Sequence, residues 1–149
     1  MMAEEDYAPL KLRAADLRDL TVISAMVQDA LAPIGDMAWL PEEGRFVMAL
    51  NRFRWEADSG EAENPPRPHQ RVHSGLRFDT VRNVQYRAID PRDRSRYLEV
   101  LAIACDEGKV VIHFAGGAAI RLEVDELRCV LADLGEPWPT AWRPAHEID

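Results

Sequence analysis

The chain has 149 residues, 47% of them apolar and 30% charged, a balance typical of one ordinary globular domain rather than of a tail, a linker or a fibre. A chain of this length can withdraw roughly 68–70% of its unfolded surface from water, so folding requires neither a metal nor a disulfide framework. The formal charge of -8 argues against general binding to nucleic acid or to anionic lipid.

The first periodic segment runs over 16–32. Leu17, Leu20, Ile23, Val27 and Leu31 recur at helical spacing, Asp16 is placed to cap the start and Pro33 to stop the end. Leu10 to Leu12, just before it, reads as a short edge strand. Met37 to Leu40, the Pro-Glu-Glu-Gly turn at 41–44 and Arg45 to Glu56 form a predicted hairpin with a long second arm. Residues 57–70, with three prolines and almost nothing to bury, read as a flexible surface loop. Val72 to Phe78 and Val84 to Ala88 alternate in polarity, as one long bent strand or two short ones. Residues 97–105, 109–114 and 118–124 then follow as three strands joined by tight turns, the last at Gly116-Gly117. Asp125 precedes Leu127, Val130, Leu131 and Leu134 at helical spacing, so a helix is expected over 125–134, stopped by Gly135 and Pro137. Prolines keep residues 136–149 from being helical throughout, so Trp138 and Trp142 are expected in an extended tail packed back against the sheet.

These elements predict a single α+β domain over 1–149: a bent antiparallel sheet or partly open barrel of about six strands, with an N-terminal helix and a C-terminal amphipathic helix. Phe46, Leu50, Leu101, Ile103, Ile112, Ile120, Leu127 and Leu131 are its expected core. In element order the arrangement resembles the pleckstrin-homology-like barrel, with the helix at 16–32 as an addition. The stretches DMAWLPEEGRFVMALNRFRWE (36–56) and HFAGGAAIRLEVDELRCVLADLGEPWPTAWRPAHE (113–147) resemble a family of small uncharacterised bacterial proteins defined as a domain of unknown function. That resemblance implies no activity, cofactor or site residue.

No reaction centre stands out. His69, His73, His113 and His146 lack metal-ligand spacing, and no serine or cysteine sits in a nucleophile elbow, so no catalytic residue, metal or cofactor is expected. Cys105 and Cys129 lie in apolar runs and read as buried small hydrophobes. The acidic start and the lack of a long apolar run lead us to expect a cytoplasmic location.

Charge is nonetheless segregated, at -6 over 1–44, +4 over 45–96 and -6 over 97–149, and the eleven basic residues of the middle third are all arginine. Within it, alternation puts Asn51, Phe53 and Trp55 on one side of a strand and Arg52 and Arg54 on the other, so that Asn51, Arg52, Arg54 and Trp55 form the candidate binding site. Trp39, Trp138 and Trp142 are candidates for an aromatic wall beside it. The plainer alternative, which the residue types favour, makes Trp55 core and pairs Arg52 with a nearby carboxylate. The leading functional expectation is a non-enzymatic adaptor that binds another protein through the arginine-rich strands or the tail, without nucleic acid or membrane partners. The alternative is a small-ligand-binding protein or enzyme with its site near Asn51, Trp55 and His113.

Overall fold

Eleven short strands, all paired antiparallel, and one α-helix make up the protein in a computed structural model that describes residues 7–58, 69–141 and 143–144. The strands are β1 (Lys11–Ala14), β2 (Leu31–Pro33), β3 (Met37–Leu40), β4 (Arg45–Phe53), β5 (His69–Phe78), β6 (Val81–Arg87), β7 (Tyr97–Asp106), β8 (Lys109–Phe114), β9 (Ala119–Val124), β10 (Cys129–Asp133) and β11 (Trp138–Thr140). Helix α1 spans Leu17–Met26. The order in the sheet is β1-β10-β5-β4-β2-β7-β8-β9-β6, with β3 added to β4 and β11 added to β5.

β2 joins two halves, since Leu31 pairs with Asn51 of β4 on one side and with Glu99 of β7 on the other. Inward-facing side chains of both halves, among them Phe46, Leu76, Ile112 and Leu122, share one core with Leu20 and Ile23 of α1. Two connections cross between the halves side by side. The chain leaves β5 through Asp79 and Thr80 directly into β6, which does not pair with β5, and it leaves β9 through 125–128 into β10. Thr80 ties the crossings together: its hydroxyl donates to the Glu126 carbonyl at 2.8 Å and accepts from the Glu126 amide at 3.1 Å.

The expected α+β fold with two helices is corrected at 125–134. Residues 125–128 form the corner, and 129–133 are β10, inserted between β1 and β5. Leu127, Val130, Leu131 and Leu134 have helical spacing, but burial in the segment alternates as a strand requires, with Cys129 and Leu131 inward. Among the described residues no C-terminal helix closes the sheet, so the element on which the pleckstrin-homology-like comparison rested is missing, and the strands number eleven rather than six.

Helix α1 starts as expected, the Asp16 carboxylate accepting from the Asp19 amide at 2.8 Å, but it ends at Met26 rather than near residue 32. Asp29 adopts a left-handed φ of 65°, its amide donates to Val100 O at 2.8 Å, and the chain peels away into β2. Long-range pairing with β7 thus outcompetes two further helical turns. The expected core holds except at Leu101, which is 44% exposed, and Leu127, which is half-buried against it. A β-bulge between Val100 and Ala102 turns Leu101 outward. The amide of Ile103, just past the bulge, donates instead to Ser24 Oγ of α1 at 2.9 Å, pinning the helix to the sheet.

Of the loop expected over 57–70, residues 59–68 lie outside the described residues, while 69 and 70 open β5. Trp138 lies in β11 and pairs with Arg71, so the described start of the tail docks on the sheet; Trp142 and His146 lie outside the described residues.

Candidate functional site

Alternation along β4 sends Phe46, Met48, Leu50 and Arg52 to the inner face. The arginine therefore continues an apolar stripe inward, and its side chain is 0% exposed. The register sets Leu50 opposite Ser74 of β5, and Ser74 opposite Asp133 of β10, so the inner face turns polar at one level. There Arg52 Nε lies 3.1 Å from both Ser74 Oγ and Asp133 Oδ1, and Nη2 donates to Asp133 Oδ2 at 3.1 Å. Nη1 and Nη2 also clasp both Glu56 oxygens at 2.8 and 2.9 Å. Asp133 accepts further hydrogen bonds from Ser74 Oγ (2.8 Å), the Leu10 amide (2.9 Å) and the Tyr7 hydroxyl.

Burial opposes charge on all three groups, yet their mutual attraction prevails. Desolvation pulls Arg52 down, but hydrogen bonding and charge from Glu56 and Asp133 leave it above the ordinary guanidinium value. Desolvation pushes Glu56 up, and Arg52 overrides it. Asp133, also pushed up by burial, ends below the ordinary carboxylate value through Tyr7, the Leu10 amide, Ser74 and Arg52. Tyr7 is raised by burial and by its bond to Asp133. The cluster is a closed ion-pair network that fastens the segment before β1 to β4, β5 and β10.

The other expected site residues are dispersed. Asn51 faces outward and its Oδ1 accepts from Arg71 Nη1 at 3.0 Å. Arg71 is lowered by burial, which the nearby charges of Asp29 and Glu99 partly offset. Arg54 follows β4, donates to Gln70 Oε1, and lies 4.8 Å above the Tyr7 ring. Trp55 packs against Phe53 with ring centroids 4.6 Å apart and donates its indole N–H to Gln28 O at 3.0 Å. Arg52 and Arg54 therefore do not form an exposed row, and the pairing of Arg52 with carboxylates is the arrangement found. Beside Trp55, Asp58 holds His69 Nδ1 at 2.6 Å and Arg143 Nε at 2.7 Å. His113 is on β8, separated from Asn51 by β2 and β7. Trp39 is on β3 opposite Phe46, whereas Trp138 packs against His73 with the rings tilted and their centroids 4.7 Å apart.

Two clefts open elsewhere. One, of about 390 Å³, is bordered by Asp16, Cys105, Asp106, Asp125 and Glu126. The other, of about 260 Å³, lies between β3 and the end of β6 and is lined by Met37, Trp39, Tyr86, Ile89, Pro91 and Arg94. Arg94 Nη2 donates to Gly35 O at 2.8 Å, and burial raises the Tyr86 phenol, with Arg94 acting in the opposite direction. Sequence reasoning missed Tyr86 and Arg94 as site residues. Their signal was the arginine-dense run 82–96, which begins within the strand that carries Tyr86. Among the described residues no group of three histidine, cysteine or acidic side chains is arranged to hold a metal ion.

Fold and clefts define an all-antiparallel β protein in which the Arg52–Asp133–Glu56 cluster is internal. Residues 10–146 match the family described as a protein of unknown function, DUF2948, and the chain belongs to that family. Comparison with curated proteins and with solved structures returns no match.

Proposed function

We propose that the protein is a non-enzymatic, cytoplasmic module that binds another protein. One observation carries this reading: Arg52, Glu56, Asp133, Ser74 and Tyr7 are spent on one another inside the sheet, while Arg94 lines an open cleft beside Trp39 and Tyr86. Arg52 is wholly buried, so the partner surface is moved from β4 to the β6 end of the sheet. Both cysteines are free, which agrees with a reducing compartment, and among the described residues no helix is long and apolar enough to cross a membrane.

The test is affinity capture with the intact protein from its native cells, followed by reconstitution from purified components and light scattering. A complex of defined stoichiometry supports the reading; failure to reconstitute one with any captured protein overturns it. The second reading, a small-ligand site or enzyme near Asn51, Trp55 and His113, draws its support from Trp55 beside the half-buried His69–Asp58 pair. His113 contributes nothing there, being on the other half of the sheet.

A further inference from the structure

Among the described residues β3 is paired only with β4, and β6 only with β9, so each leaves one edge of backbone groups without a ladder. The 260 Å³ cleft lies between them. Consecutive residues Met37, Ala38 and Trp39 all line it, whereas successive side chains of a strand point to opposite faces, so the cleft meets the edge of β3 rather than one face. Both ends are clamped by backbone. The Val81 amide donates to Gly44 O at 2.8 Å at one end; at the other, Ile34 and Gly35 amides donate to Arg96 O and Arg94 O at 2.9 and 3.0 Å. Gly35 permits that approach, because a β-carbon there would stand 2.7 Å from Arg94 O. Between the clamps Trp39, Tyr86 and Ile89 are only half-buried, leaving apolar surface in contact with water.

The segment that borders the cleft on the β6 side is basic in an acidic protein. Residues 81–96 carry five arginines and two aspartates, +3 against -8 for the whole chain. Arg82 and Arg92 are paired with Asp125 and Asp90. Arg87 and Arg96 turn to the carbonyls of Gly117 and Ala88; Arg94, which lines the cleft, donates to the carbonyls of Gly35 and Met37, and among the described residues no carboxylate neutralises these three. Pockets that enclose a small molecule run to roughly 300–1,000 Å³. A 260 Å³ cleft open along a strand edge suits one large side chain of a longer chain.

Resting on the protein-binding reading above, we propose that this cleft receives an extended, acidic segment of a partner polypeptide. A large apolar side chain of that segment seats between Trp39 and Tyr86, its backbone bonds the β3 edge beyond Met37, whose amide and carbonyl are already taken by Ile34 O and Arg94, and its carboxylates face Arg94.

The probe is a blocked synthetic peptide with glutamates on both sides of a central phenylalanine, titrated to about 2 mM, the range of weak single-site contacts, into the isotope-labelled full chain. The expected result is amide shifts confined to 37–39 and 84–94, with affinity falling as salt rises from about 50 to about 500 mM. A lysine-flanked peptide should produce none. Arg94→Glu should weaken binding about tenfold or more; because Arg94 also braces Gly35 and Met37, Tyr86→Ala is the second variant, with about a threefold loss expected and an unchanged spectrum away from the cleft. Unmoved cleft amides, shifts centred on other strands, or equal binding of the lysine-flanked peptide overturns the proposal. If the cleft fails while a reconstituted partner complex exists, only the assignment of the cleft falls; if both fail, the protein-binding reading falls with it.

Discussion

Replacing Arg52 by methionine keeps most of the side-chain volume and removes the charge that Asp133 and Glu56 share. Glu56 is partly open to solvent and can rehydrate, but Asp133 is fully covered and is left as a buried carboxylate with only the neutral donors Ser74, Tyr7 and the Leu10 amide. Breaking a buried pair by deleting one partner typically costs about 3–5 kcal/mol, and the remaining donors place this case toward the lower end, about 3 kcal/mol. That is a large share of the roughly 5–15 kcal/mol that holds a domain folded. The assay is urea unfolding at neutral and acidic pH. Glu56 and Asp133 are held below their ordinary values in the native protein, so the unfolded chain binds protons first as pH falls. Wild-type stability from this source is therefore complete above about pH 5 and is lost as pH drops through about 4 and below. In the variant, protonating Asp133 removes an unpaired buried charge, so the difference between the two proteins should shrink toward low pH. A loss under about 1 kcal/mol at neutral pH, or a difference that grows on acidification, would refute a closed buried network.

Leu131, fully buried in β10 between β1 and β5, should cost about 2–5 kcal/mol when truncated to alanine, read from the urea midpoint at constant slope. Deleting residues 137–149 removes β11 from the edge of β5 and should lower stability by about 1–3 kcal/mol and strip exchange protection from β5 near 69–71; an unchanged melting temperature would show that the tail contributes nothing to the fold. Burial, with the Asp79 charge, pushes the Cys129 thiol up to about 12, so a thiol reagent at about pH 8 should modify Cys129 only at the rate of unfolding. Labelling of Cys129 in the native state as fast as in a peptide would contradict its burial.

Local signals carried much of the architecture. The Asp16 cap, the hairpin from Met37 to Phe53 around its Pro-Glu-Glu-Gly turn, and the β7–β8–β9 meander all rest on residues close in the chain, where capping, turn geometry and alternation act directly. The candidate site was legible only in part. Alternation correctly placed Arg52 opposite Asn51 and Phe53 in β4, and pairing of Arg52 with a carboxylate was foreseen, but Asp133 lies 81 residues further on, and nothing in 45–56 says which face of the strand will be covered.

Sequence by itself thus determined the strand-rich character of 37–53 and 97–124, the start of α1, and the segregation of arginine into the middle of the chain. Tertiary structure decided that 129–133 is a strand, that α1 stops at Met26, that Arg52 faces inward, and that the edges of β3 and β6 border an open cleft. The reason is the range of the forces: in the same residues the spacing of Leu127, Val130, Leu131 and Leu134 satisfies a helix, whereas the alternation of Cys129 and Leu131 satisfies a strand. The tie is broken by backbone pairing with β1 and β5, whose residues are about 50–120 positions away and whose register no local pattern encodes.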